Sequence, residues 1–302
     1  MSIWVCGEVL IDLIPGDDGV RIGHVGGGPA NTAKALARLG HDVAFIDGIS
    51  TDEYGQAARK ELLDDSVNLS LSKTSEKPTC LAIVSLNESG GASYEFQIDG
   101  TATFDFELAW LPDPSRYKPN VLHIGTLVTI IQPSADVLFD WALRVAEFAP
   151  IVFDPNVRPA VMGDRDLYEA AVEKWAAISS VIKVSDDDMA WLYPGQKYAD
   201  IAQRWIDFGA TLVVVTRGAD GIIGFTREGS VEVDGAKVVV ADTVGAGDTV
   251  GAIIVEAMVE KGILSLTGDV LRDTLQRAAT AAGITCSRKG AQPPYKYELK
   301  NA

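Results

Sequence analysis

Cysteine and histidine are both scarce in this chain of 302 residues, with three of each. Cys6, Cys80 and Cys286 are far apart, odd in number and in no CxxC spacing. That excludes a disulfide framework and a cysteine zinc site, and it fits a reducing compartment. His24, His41 and His123 form no pair at i, i+4 spacing, so no helix-borne metal pair is expected. Cations are short too: 26 Lys and Arg stand against 42 Asp and Glu, for a net charge of −16. Such a surface suits neither nucleic-acid phosphates nor an anionic membrane. No apolar run reaches the length of a membrane span. The N-terminus lacks the basic segment and cleavage pattern of a secretory signal. A cytoplasmic protein with no nucleic-acid and no membrane partner is therefore expected.

Several nucleotide and hydrolase motifs are also missing. No GxGxxG follows the first apolar segment, which argues against a dinucleotide-dependent oxidoreductase. There is no GxxxxGK[ST] phosphate loop and no GxSxG nucleophile elbow.

What is present is a packed globular composition, 47% hydrophobic and 23% charged, at a length that suits a single large α/β domain over residues 1–302. Residues 3–11 read as a buried first strand with Asp12 at its end, and 43–49 as a second strand. Helices are expected over 54–63, 134–148, 167–177 and 201–208. Strands are expected over 121–125, 151–158, 181–185 and 212–216. Strands alternating with helices predict a doubly wound parallel sheet sandwiched by helices. Two segments break the rhythm. Residues 20–25 and the pair 79–86 and 92–98, the latter around Gly90-Gly91, read as hairpins. They predict a small antiparallel lid from about 13–25 and 79–105, able to close over a crevice. Its apolar positions Ile83 and Phe96 would cover a ligand or pair with a second copy of the chain.

Two glycine-rich stretches stand out. Gly26-Gly27-Gly28-Pro29-Ala30-Asn31 leads into a helix that Gly40 ends. Asn31 in its first turn either caps the helix or faces a ligand. Near the other end, Asp242-Thr243-Val244-Gly245-Ala246-Gly247-Asp248 joins a strand-like segment, 236–240, to an apolar helix. Free amides at a helix start form an anion site. An acidic residue there is either a plain N-cap or a base that takes a proton beside the anion. Asp12 has the same ambiguity, as a turn carboxylate or a ligand. Together Asp12, Asp154, Asn156, Arg158, Lys183, Ser185, Thr216 and Asp248 fall at strand C-termini or just after them, on the edge where α/β sheets collect ligands. Cations, carboxylates, an amide nest and a base suit phosphoryl transfer.

Over essentially its whole length the chain resembles the PfkB/ribokinase family of carbohydrate kinases. The two glycine stretches carry the resemblance, supported by Gly7-Glu8-Val9-Leu10-Ile11-Asp12, Asp154-Pro155-Asn156-Val157-Arg158, Lys183-Val184-Ser185-Asp186-Asp187-Asp188 and Arg288-Lys289-Gly290-Ala291. Within the family the chain is most similar to bacterial fructokinases. The resemblance implies a ribokinase-like fold and ATP-dependent phosphorylation of a sugar's primary hydroxyl, most like D-fructose to fructose 6-phosphate. Asp248 would be the base. The amides of Gly245, Ala246 and Gly247 would hold the transferred phosphoryl, with Arg158 reaching the phosphates. Asp12, Gly27, Gly28, Asn31 and Phe96 would bind sugar. Lys183, Ser185, Thr216, Gly218, Gly221, Thr280 and Gly283 would line the ATP site together with Gly245 and Gly247. Mg2+ would be ordered through water by Asp188, and K+ would sit by the backbone of Asp242 and Val244. Ser185, Asp188 and Thr280 depart from the Asn, Glu and Asn found in many relatives, and Thr249-Val250 replaces a small residue followed by Phe. A 2-keto-3-deoxygluconate kinase or another sugar or nucleoside kinase shares these motifs, and a non-catalytic sugar-binding protein could keep the scaffold.

Overall fold

The computed structural model describes residues 2–16, 20–86 and 92–300. The chain begins with β1 (Ile3–Cys6), β2 (Leu10–Pro15) and β3 (Arg21–Gly26), then α1 (Gly28–Arg38), β4 (Val43–Ile46), β5 (Gly48–Ser50) and α2 (Glu53–Asp64). Next come β6 (Lys73–Ser75), β7 (Leu81–Leu86), β8 (Ala92–Gln97), the short α3 (Pro114–Tyr117), β9 (Val121–Gly125), α4 (Ser134–Ala146), β10 (Ile151–Asp154) and α5 (Arg165–Ala176). The remainder is β11 (Val181–Ser185), α6 (Asp186–Leu192), α7 (Tyr198–Phe208), β12 (Leu212–Thr216), β13 (Ile222–Thr226), β14 (Gly229–Val233), α8 (Ala246–Lys261) and α9 (Gly268–Cys286).

An eight-stranded sheet in the order β14-β13-β12-β11-β10-β9-β1-β4 forms the centre. From β12 to β4 the strands run parallel, as expected, each buried on both faces. Strand alternation divides their side chains between two cores. Trp4, Leu122, Phe153, Ile182 and Val213 pack on the side of α4, α5, α6 and α7. Val5, Val121, Val152, Val181 and Val214 pack on the side of α1, α8 and α9. By the same alternation Asp154 and Lys183 project toward α8, because their neighbours Phe153, Ile182 and Val184 belong to the other core. This places two charged side chains beneath the start of that helix.

Several expectations are corrected. Residues 3–11 are not one strand. The chain leaves the central sheet at Gly7, at φ +147, where a Cβ would sit 2.3 Å from Pro29 of α1. Asp12 therefore lies on β2, in a separate four-stranded sheet ordered β3-β2-β7-β8, and not at the central sheet's edge. The two hairpins form as expected, but they join through a parallel pairing of β2 with β7, so the lid sheet is mixed. The residues of its turns at 17–19 and 87–91, including Gly90-Gly91, lie outside the described residues. Residues 43–49 split at Asp47, whose carboxylate accepts the amides of Val9 and Gly48; β5 then pairs with β6. β10 stops at Asp154 because Pro155 has no amide to continue the ladder.

The segment 236–240, expected to be strand-like, is an exposed coil with Val239 90% accessible. Apolar content alone did not make a strand, since the segment pairs with no strand among the described residues. Asp248 thus follows a loop, not a strand. The antiparallel hairpin β13–β14 went unread, although alternating residues around Arg227-Glu228-Gly229 mark it.

Candidate active site

The crevice between the central sheet and the lid holds a cavity of about 500 Å³, a size typical of small-molecule sites. Glu8, Leu10, Asp12, Gly27, Gly28, Asn31, Phe96, Asn156, Arg158, Lys183, Gly245, Gly247 and Asp248 are among its lining residues. Both glycine stretches, one from each end of the chain, therefore face the same space.

The geometry centres on the start of α8. Gly245 caps the helix at φ +80, a left-handed conformation that glycine adopts without strain. The first-turn amides of such a helix lack partners within it, and its dipole favours an anion there. The Ala246 amide turns back to Thr243 O at 3.3 Å, so Gly247 is the better-placed donor of that pair. A Cβ on Gly247 would lie 2.9 Å from Lys183 Nζ, which fixes the cation directly under the turn. Lys183 is 4% exposed and donates to Asp154 Oδ2 at 2.8 Å. Burial opposes its charge, but Asp154 and Asp248 outweigh that and hold its ammonium above the usual range.

Asp248 is buried in the first turn of α8. Asn31 Nδ2 donates to its Oδ2 at 2.9 Å, and Thr32 Oγ1 donates to its backbone carbonyl at 3.4 Å. Oδ1 faces Gly28: a Cβ there would sit 3.1 Å from that oxygen and 2.8 Å from Asn156 Nδ2. Burial pushes the Asp248 carboxyl up to about 6, against the pull of Lys183 and Asn31. It remains mostly ionised at neutral pH and can still accept a proton.

Asp12 enters from the lid, half-buried, and burial likewise raises its carboxyl to about 6, with Arg158 and His24 pulling it down. Phe96 on β8 lines the same cavity and packs against the core, so it is not an outward lid residue. Arg158 is exposed; its Nη1 donates to the backbone carbonyls of Asn156 and Val157.

Of the remaining predicted residues Val244 also lines the cavity, and the others do not. Ser185 and Thr216 face each other in register at the ends of β11 and β12. Gly218 and Gly221 bound the turn after β12. Thr280 and Gly283 sit on α9, where Gly283 lies against Ala236 and Thr280 Oγ1 bonds its own helix at Gln276 O. Asp188 is 8% exposed and forms a capping box with Ser185; its Oδ1 also accepts the Val157 amide at 3.0 Å. Burial and Asp154 hold its carboxyl above the usual range, with Lys183 pulling the other way. Asp242 Oδ1 and Oδ2 accept the amides of Val244 and Gly290. Sequence reading missed Glu8 as a cavity-side residue and Thr126 as the neighbour whose hydroxyl donates to it. The burial of Glu8 just after β1 depends on contacts that its residue type does not signal.

Comparison with known proteins agrees with this geometry. The sequence pattern of the pfkB family carbohydrate kinases matches residues 2–297. A fructokinase of Rhizobium leguminosarum bv. trifolii is 35% identical over 269 residues, covering 87% of this chain and 81% of that protein. The structure of a fructokinase from Vibrio cholerae, in a form with fructose, ADP and calcium ion bound, superposes with a TM-score of 0.88 at 26% identity, covering 99% of this chain and 98% of that one. A fructokinase from Xylella fastidiosa with bound ATP shares the fold, with a TM-score of 0.92 at 24% identity over 99% of this chain and 98% of that one. With both glycine motifs on one cavity and the family pattern spanning nearly the whole sequence, the chain belongs to the pfkB family of carbohydrate kinases.

Proposed function

We propose that this protein transfers the γ-phosphoryl group of ATP to the primary hydroxyl of D-fructose, giving fructose 6-phosphate and ADP. The observation that carries the reading is Asp248, a buried carboxylate with its base-form tuned by burial, set beside the glycine turn that suits an anion. The names of the relatives support fructose as the sugar.

In this reading the sugar hydroxyl donates its proton to Asp248 Oδ1 as its oxygen attacks the γ-phosphorus. The bond from that phosphorus to the bridging oxygen of ADP breaks, and the proton ends on Asp248. Asn31 holds Oδ2, which leaves Oδ1 toward the hydroxyl. The Gly245 and Gly247 amides and Lys183 face the charge on the moving group, and Arg158 reaches the phosphates from the rim. Asp12, Gly27, Gly28 and Phe96 bind the sugar, and closure of the lid excludes water. Ser185, Thr216, Gly218, Gly221, Thr280 and Gly283 flank the nucleotide.

Asp188 suits Mg2+ only by way of water, since backbone amides already occupy its oxygens and leave spare lone pairs alone. Such an ion, when bound, would offset the negative charge between the phosphates. K+ would sit beside the backbone of Asp242 and Val244, in the loop that the Asp242 carboxylate holds through the amides of Val244 and Gly290. A second copy of the chain would pair through the lid, where Ile14 and Ile22 stand opposite each other and exposed. Among the described residues no helix is long and apolar enough to cross a membrane, in keeping with a cytoplasmic site of action.

The test is turnover with ATP on fructose, 2-keto-3-deoxygluconate and ribose. Fructose should have the largest kcat/KM. Equal or absent turnover on fructose would remove it as the substrate.

A further inference from the structure

Glu8 lies between β1 and β2 at the floor of the cavity, and the phosphoryl-transfer scheme above does not use it. It is 3% exposed. Its Oε1 accepts a hydrogen bond from the Thr126 hydroxyl. Its Oε2 is buried and has no hydrogen-bond partner among the described residues. Buried polar atoms in folded proteins nearly always find a partner, so an unsatisfied one beside a ligand cavity needs an explanation.

Thr126 supplies a second observation. It adopts φ +61, which is an outlier for a β-branched residue. Its methyl lies beside Gly28, where a Cβ would come within 3.1 Å of it. Backbone strain of this kind persists where the surroundings over-determine it, and it collects at ligand clamps. Here the strained turn aims the Thr126 hydroxyl at Glu8 and fixes Oε1, which leaves Oε2 without a partner on a residue that lines the cavity.

Among the described residues no group of three side-chain ligands is built around Oε2 to hold a metal; the only group close enough to share one is His41, Glu256 and Glu260, which lies elsewhere. An anion would meet Glu8 beside Asp12 and Asp248. A neutral hydroxyl fits. Burial pushes the Glu8 carboxyl up to about 7, offset in part by Thr126, its own amide and Arg158 and reinforced by Asp248. A hydroxyl can donate to the charged form and accept from the neutral one.

We propose that Glu8 is a sugar-binding residue whose Oε2 pairs with a hydroxyl of the bound sugar other than the one that reacts, with Thr126 as its positioning residue. The proposal rests on the sugar-kinase reading above. The experiment measures kcat and KM at saturating ATP for the wild type, Glu8→Ala and Glu8→Gln, on fructose and on its singly deoxygenated analogues. Glu8→Ala should raise KM for fructose about tenfold with kcat within about twofold. Glu8→Gln, which keeps a polar partner, should restore KM to within about threefold. For one deoxy sugar, the wild type and Glu8→Ala should share the same KM, because the partner hydroxyl is gone. If Glu8→Ala does not fold, Glu8→Gln carries the scan, its smaller penalty vanishing on that same analogue. An unchanged KM for fructose, or a loss of equal proportion on every deoxy sugar, overturns the proposal. A wild type inactive on fructose overturns the substrate reading instead, and the same scan on deoxy forms of the accepted sugar then decides the role of Glu8.

Discussion

Asn31 Nδ2 donates to Asp248 Oδ2 at 2.9 Å across 217 positions of sequence. One residue opens α1 and the other opens α8, and α1 packs along α8 beneath the cavity. The hydrogen bond thus fixes the carboxylate's rotamer from the other end of the chain and commits one oxygen, so the second faces Gly28 and the cavity.

Asp248→Asn removes the proton acceptor while keeping the shape. Loss of a positioned general base typically costs about 10² to 10⁴ in rate. The expected outcome is a kcat about a thousandfold lower with KM for the sugar within a few-fold, measured by steady-state kinetics. A fall in KM affinity with kcat intact would instead mark Asp248 as a binding group.

The same substitution should change how stability responds to pH. The Asp248 carboxyl rises from 3.8 to about 6 on folding. A raised folded pKa favours the folded state below the unfolded value, and that contribution is lost as pH rises through about 6. At pH 7.5 the wild type therefore carries a burden of about 3 kcal/mol that Asp248→Asn lacks. Denaturant titrations should show the variant more stable than the wild type at pH 7.5, with the gap narrowing toward pH 4.

Lys183→Met leaves Asp154, 2% exposed, without its cation. Breaking a buried pair from one side costs about 3 to 5 kcal/mol. A clear fall in Tm at neutral pH is expected. Lys183→Met/Asp154→Leu, which removes both charges, should recover most of that stability without recovering turnover.

Gly28→Ala places a methyl group 2.8 Å from Asn156 Nδ2 and 3.1 Å from Asp248 Oδ1. Displacement of a reacting group by about 1 Å can cost about a hundredfold in rate. The expected variant folds with nearly wild-type Tm and has kcat/KM for the sugar reduced about a hundredfold.

Much of this was legible in the sequence for physical reasons. The continuous apolar run Leu212–Thr216, set between helical segments, reads as a buried strand of a parallel sheet, and Gly245-Ala246-Gly247 before an apolar helix reads as a tight turn at its start. What was not legible depended on contacts between distant residues. Gly7 breaks β1 because Pro29 occupies the space a Cβ would need, which moves Asp12 into the lid. Val238, Val239 and Val240 read as a strand by composition, yet they pair with no strand among the described residues. Glu8 and Thr126 meet across 118 positions, and neither residue type in isolation signals a binding site.

The most direct test of the account is a single-turnover reaction of excess enzyme with ATP and fructose, with the product identified by 31P NMR, run on the wild type and Asp248→Asn across pH 5 to 8. The account predicts fructose 6-phosphate from the wild type, at a rate that falls as pH drops through about 6, and a rate at least a hundredfold lower and without that pH step from the variant. Equal rates from the two proteins at pH 7.5 would contradict the assignment of Asp248 as the base.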